Sequence, residues 1–102
     1  MATRSCSARL ATVKTIDALL AASGLGPGES HGDRRDKLRQ LEEAEPEIAK
    51  LGLRDRYVAR MSYLHVDGFY EGTLSPEEAE EQMDRVEELI DDVEALLKRR
   101  RA

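Results

Sequence analysis

Ser75-Pro76-Glu77-Glu78-Ala79-Glu80-Glu81-Gln82-Met83-Asp84-Arg85-Val86-Glu87-Glu88-Leu89-Ile90-Asp91-Asp92-Val93-Glu94-Ala95-Leu96-Leu97 reads as one long amphipathic helix. Ser75 is placed to accept from first-turn amides, Pro76 stands where its missing N–H would be unbonded anyway, and Glu78 completes a capping box. From Ala79 onward Met83, Val86, Ile90, Val93 and Leu97 fall alternately four and three residues apart, and Leu89 and Leu96 widen the stripe. A stripe of that length must be covered by other elements. The opposite face is acidic from Glu77 to Glu94, and Lys98-Arg99-Arg100-Arg101 closes the segment. Acids at the start and bases at the end suit the helix dipole and keep the surface solvated. The basic end has a second reading, as a contact for RNA or for an acidic partner.

Three helices upstream supply the cover. The first is expected from about Ser7 to Ala22, with Leu10, Val13, Ile16, Leu19 and Leu20 on one side, and stops at Ser23-Gly24-Leu25-Gly26-Pro27-Gly28. That run holds a bare Gly-x-Gly, but no strand precedes it and no Gly-Lys-Ser/Thr follows, so it reads as a helix-breaking loop and not as a phosphate cradle. His31 follows in the same polar stretch and reads as exposed. The second helix is expected to start near Asp33 as N-cap and to present Leu38, Leu41, Ala44 or Glu45, Ile48 and Leu51. Pro46 inside it predicts either a kink or a break with a new first turn, and Gly52 predicts a C-cap with Leu53 folding back. The third helix is expected over about 54–66, with Tyr57, Met61, Leu64 and Gly68 as its inner face.

Short loops between four single-stripe helices predict an all-α fold, a four-helix, largely antiparallel up-and-down bundle in one domain over 1–102. Composition agrees, with aromatic residues at only 4% and no Trp, so the core is aliphatic and helix-favouring. A chain of 102 residues with so few aromatics buries a marginal amount of apolar surface, which favours self-association. The first sixteen residues lack acids and carry Arg4, Arg9 and Lys14, a pattern read here as ordinary helix and not as a transit peptide. Cys6 is the only cysteine, which excludes an intrachain disulfide and makes a reducing, cytoplasmic setting the simpler expectation. No window approaches the length of apolar sequence that a membrane span needs. The formal net charge of −5 argues against a protein that coats nucleic acid nonspecifically. Its distribution is uneven: +2 over 1–60, −11 over 61–97 and +4 over 98–102.

The chemistry-bearing pattern is Arg60-Met61-Ser62-Tyr63-Leu64-His65. A guanidinium and an imidazole are what metal-free RNA cleavage requires, a fixed cation for the phosphorane and a group that exchanges protons near neutral pH. Residues five apart on a straight helix do not share a face. With Tyr57, Met61 and Leu64 inward, Arg60 lies on one border of the stripe and His65 on the other, so one phosphate meets both only if the helix bends or if two chains contribute. The plain structural alternative makes His65 a packed border residue and Arg60 a surface partner of Asp67. A carboxylate-bridged metal site needs a Glu-x-x-His pair facing a bundle interior, and none is present, so neither metal nor cofactor is expected.

Taken in order, Asp17-Ala18-Leu19-Leu20, Ser30-His31, Arg60-x4-His65, Gly68-Phe69-Tyr70-Glu71-Gly72 and Ser75 to Glu81 opening a final helix that ends in Leu96-Leu97 make the chain resemble the HEPN superfamily. These are small helical bundles that include toxin-type ribonucleases with an R-x(4 to 6)-H motif. Two positions depart from that pattern: Met61 stands where catalytic members usually carry a polar residue, and Asp67 where many have a tyrosine. The resemblance implies a homodimer in which the arginines and histidines of both copies line one cleft, and a nucleotidyltransferase-type antitoxin as a neighbour. It implies Arg60 and His65 as catalytic residues acting on an RNA substrate, with Tyr70 orienting the phosphate or the histidine. Arg54 and Arg56, close to the motif, are expected to steer RNA through phosphate contacts. The second expectation, of another class, is a noncatalytic helical adaptor that binds a nucleotidyltransferase or another protein.

Overall fold

The computed structural model describes residues 2–63 and 75–101, and all of its regular structure there is helical. The described elements are α1 (Ala2–Ala22), α2 (His31–Ala44), α3 (Pro46–Leu51), α4 (Leu53–Tyr63) and α5 (Pro76–Arg101). No helix among them is long and apolar enough to cross a membrane.

α1 begins earlier than its apolar spacing suggests, because its first turns are built from alanine and small polar residues that helices accept at little cost. It ends in two nested bonds, from the Leu25 amide to the Leu20 carbonyl and from the Gly24 amide to the Ala21 carbonyl. That is the geometry in which Leu25 folds back onto the core. α1 does not bury Leu10, which is 54% exposed. Thr12 takes the inward position instead, one turn before Ile16, its hydroxyl donating to the Ala8 carbonyl at 2.8 Å so that no polar group is stranded.

α2 is capped by Ser30 and not by Asp33. The Ser30 hydroxyl accepts from the Asp33 amide at 3.0 Å, and the Asp33 carboxylate accepts from the Glu29 amide at 2.9 Å. Asp33 is thus the third residue of the first turn, in the acid position of a capping box. Pro46 breaks the helix. Glu45 is extended, and Pro46 opens the separate short α3. Gly52 ends α3 in the left-handed conformation at φ 61°, which lets α4 start at the next residue, Leu53.

α5 begins as read, with the Ser75 hydroxyl accepting from the Glu78 amide at 3.1 Å. Its buried stripe is Met83, Val86, Leu89, Val93 and Leu96, while Ile90 and Leu97 are only partly covered. The seam therefore turns on Leu89 and Leu96. Adjacent apolar pairs, Leu89-Ile90 and Leu96-Leu97, leave a spacing argument unable to choose between them.

One core cluster joins Ile16, Leu19 and Leu20 of α1, Leu38 and Leu41 of α2, Ile48 of α3, Leu53 and Tyr57 of α4, and Leu89, Val93 and Leu96 of α5. A smaller one gathers Ala8 and Met61 on Met83 and Val86. Met61 lies at Met83 and Val86 while Arg56 reaches Asp92, so α4 and α5 run in opposite senses. α1 meets α5 with Ala8 at the Met83 end and contributes Ile16 to Leu20 to the Leu89–Leu96 end, so those two run in the same sense. Neighbours in space thus do not all alternate direction, since the loop after α1 runs back along that helix before α2 starts.

Candidate functional site

α4 carries the arginine of the motif. Leu53, Tyr57, Arg60 and Met61 form its inward face, and Arg60 is 5% exposed. Arg60 lies deeper than the border position expected of it, and Asp67, the partner expected for it, lies outside the described residues. With Leu53 as the first helical residue, Arg60 falls two turns on along the same line, so the stripe is centred nearer to Arg60 than Tyr57 and Met61 alone indicate. His65 and Tyr70 lie outside the described residues.

Arg60 lines a groove of about 480 Å³ between α4 and α5. From α4 come Asp55, Arg56 and Ala59, and from α5 Glu81, Asp84, Arg85 and Glu88. The lining holds three arginines and four carboxylates. Arg85 is tied to Glu81 at 2.6 Å, and Arg56 to Asp92 at 2.8 Å with a further contact to the Leu51 carbonyl at 3.4 Å. These ion pairs are partly exposed, so they position side chains more than they add stability. Of the three arginines in the lining, Arg60 is the most buried.

Arg54 and Arg56, expected to hold phosphate, are both turned to the protein itself. Arg54 lies 3.9 Å from the Glu42 carboxylate, whose other oxygen accepts from the Arg54 amide at 3.4 Å. Arg56 braces α4 against α5 through Asp92. Among the described residues no group of three His, Cys, Asp or Glu side chains gathers in metal-binding geometry.

A polar network on the other flank of α4 escaped the sequence reading. His31 is exposed, but it is the first residue of α2 and its Nδ1 lies 2.7 Å from the hydroxyl of Tyr57, a side chain with 0% exposure. Arg9 of α1 approaches the other ring nitrogen, Nε2, at 3.5 Å. The short contact is one hydrogen bond between the ring nitrogen and the hydroxyl, with its direction set by the ring tautomer. Desolvation lowers the pKa of His31, and the charges of Arg34, Arg9 and Arg35 lower it further. Burial raises that of Tyr57, against the field of Arg34, which also bonds to its hydroxyl.

Arg34 is the hub. It grips Asp17 of α1 through Nε at 2.8 Å and Nη2 at 3.2 Å, and donates to the Gly28 carbonyl at 3.0 Å. The Gly28 amide donates in turn to Asp17 at 2.9 Å. A Cβ at Gly28 would overlap the Arg34 side chain, so only glycine lets the loop pass this close. The Asp17 hydrogen bond raises the Arg34 pKa above its already high ordinary value. Ser30-x-x-Asp33 was the available signal, because moving the N-cap to Ser30 puts His31 into the first turn of α2. The partners Asp17 and Tyr57 are distant in sequence and carry no local mark. The chain matches no protein-family model, no curated protein and no solved structure.

Proposed function

We propose that this chain is a HEPN-like, metal-independent endoribonuclease of toxin-antitoxin type, acting as a homodimer on RNA, with α1, α2, α4 and α5 as the four long helices of a HEPN-like bundle. The observation that carries the reading is Arg60, a guanidinium 5% exposed at the base of an open groove. A guanidinium held in a groove wall is a positioned cation of the kind that stabilises charge developing on phosphate oxygens. In the reaction, His65 takes the proton of a ribose 2'-hydroxyl, whose oxygen attacks the adjacent phosphorus. Arg60 holds the negative charge on the non-bridging oxygens. The bond to the 5'-oxygen breaks, a proton is returned to that oxygen, and a 2',3'-cyclic phosphate and a 5'-hydroxyl remain. Residues five apart on a straight helix do not share a face, so in this reading the site joins the arginine of one copy to the histidine of the other. A nucleotidyltransferase-type antitoxin is the expected partner, and Tyr70 the expected orienting hydroxyl.

The test is RNA cleavage by the purified protein in the presence of chelator. His65→Ala is expected to lower the rate by about 100-fold or more. Arg60→Ala is expected to do likewise, with Arg60→Lys and helical circular dichroism separating lost chemistry from lost fold. RNA left intact by the native sequence, or cleaved equally by both variants, ends this reading.

One observation favours the second reading, a noncatalytic adaptor. Asp55, Asp84 and Glu88 line the Arg60 groove with no ion pair among the described residues, and carboxylates there repel phosphate. An adaptor would offer this groove to a basic segment of a partner protein. Stable binding of such a partner by a chain that leaves RNA unaltered would select it.

A further inference from the structure

On α2 and α4, Arg34, Arg54 and Arg56 each have a carboxylate, Asp17, Glu42 and Asp92 respectively. Arg35 and Arg39 do not. Both are exposed, and neither makes a hydrogen bond or ion pair among the described residues, in a chain with 21 acidic side chains. They stand one turn apart on one face of α2, a spacing at which like charges weaken a helix. They open onto a groove of about 350 Å³ between α2 and α4 that Asp36, Arg54, Asp55 and Val58 complete. Val58 is 39% exposed, one of only two large apolar side chains so exposed among the described residues. Asp55 also lines the Arg60 groove, so the two grooves meet on α4.

We propose that the α2/α4 groove binds single-stranded RNA. Arg35 and Arg39, about 6 Å apart at the Cβ atoms, take successive backbone phosphates, Arg54 flanks them, and a base rests on the Val58 side chain. The strand continues past Asp55 into the Arg60 groove, so the assignment rests on the ribonuclease reading and supplies its substrate track. The spacing of the arginine pair, one helical turn, suits the successive phosphates of an extended strand. Charge favours phosphate, because Arg35 and Arg39 have no carboxylate partner here among the described residues, whereas four carboxylates face three arginines in the α4/α5 groove.

The experiment measures binding of a fluorescent single-stranded RNA to the full chain carrying His65→Ala, which keeps the RNA intact. Adding Arg35→Gln with Arg39→Gln is expected to weaken binding about tenfold at low salt and to reduce the slope of log affinity against log salt by about 1.4, the share of two phosphate contacts. Asp36→Asn is expected to tighten binding. Lys50→Gln, an exposed cation on α3, is expected to change affinity by less than about twofold. No binding by the parent chain, an unaltered slope in the double variant, or an equal loss from Lys50→Gln overturns the proposal. So does a double variant that binds RNA normally but sediments as monomer where the parent is a dimer, which would assign the arginine row to a second copy. Cleavage by the native chain that persists at full affinity when Arg35 and Arg39 are replaced removes the groove and leaves the nuclease. Arginine-dependent binding by a chain that never cleaves removes the nuclease and leaves the groove.

Discussion

Tyr57→Phe deletes one oxygen from the centre of the molecule and leaves the ring that packs in the main core cluster. The lost oxygen is the one bonded to His31 Nδ1 at 2.7 Å and approached by Arg34. Neither partner is wholly stranded by the change. Arg34 keeps Asp17 and the Gly28 carbonyl, and the exposed His31 ring can turn to water. The cost is therefore that of one buried hydrogen bond with partial rescue, about 1–2 kcal/mol. For a domain of this size each kcal/mol lowers Tm by about 4–8 °C. Urea and thermal unfolding followed by helical circular dichroism measure it directly. Pairing the change with His31→Ala should give a non-additive cycle, with a coupling of about 0.5–1 kcal/mol, because both substitutions remove the same bond. A Tyr57→Phe protein as stable as the parent, or a strictly additive cycle, would show that the hydroxyl does not link α2 to α4.

His31 makes stability depend on pH. Its folded-state pKa lies below the ordinary 6.5, so the unfolded chain binds the proton more readily. The contribution is fully present above pH 6.5 and is lost as the pH falls from there through the lowered value; His31→Gln should flatten that part of a stability–pH profile. Gly52→Ala places a Cβ in open space but on a left-handed backbone at φ 61°, so the conformation alone should cost about 1 kcal/mol, read as a lower urea midpoint at constant slope.

What could be read in advance was what is local. The start of α5, an interruption at Pro46 and the cap at Gly52 each follow from residues close in sequence to the backbone groups concerned, although kink and break at Pro46 were equally open. The inward faces were harder, because burial is decided by neighbours. Thr12 is buried and Leu10 is not, although hydrophobicity alone orders them the other way. Leu53, left out of the expected helix, is buried seven residues before Arg60, and counting it in the stripe moves Arg60 from a border to the core side of α4. The phosphate role expected of Arg54 and Arg56 failed to anticipate Glu42 and Asp92, carboxylates whose proximity depends on how α2 and α5 pack on α4. The His31–Tyr57 bond spans 26 residues, and nothing in either local sequence announces the other.

The amide of Gly28 lies within a loop, where exchange of its proton with solvent is ordinarily fast. Here a carboxylate from α1 holds it, and Arg34 closes over the same carboxylate from α2. Deuterium replaces that proton when the Asp17 carboxylate lets the loop go, which makes one glycine in a turn an internal gauge of that release, separate from fraying at the helix tips.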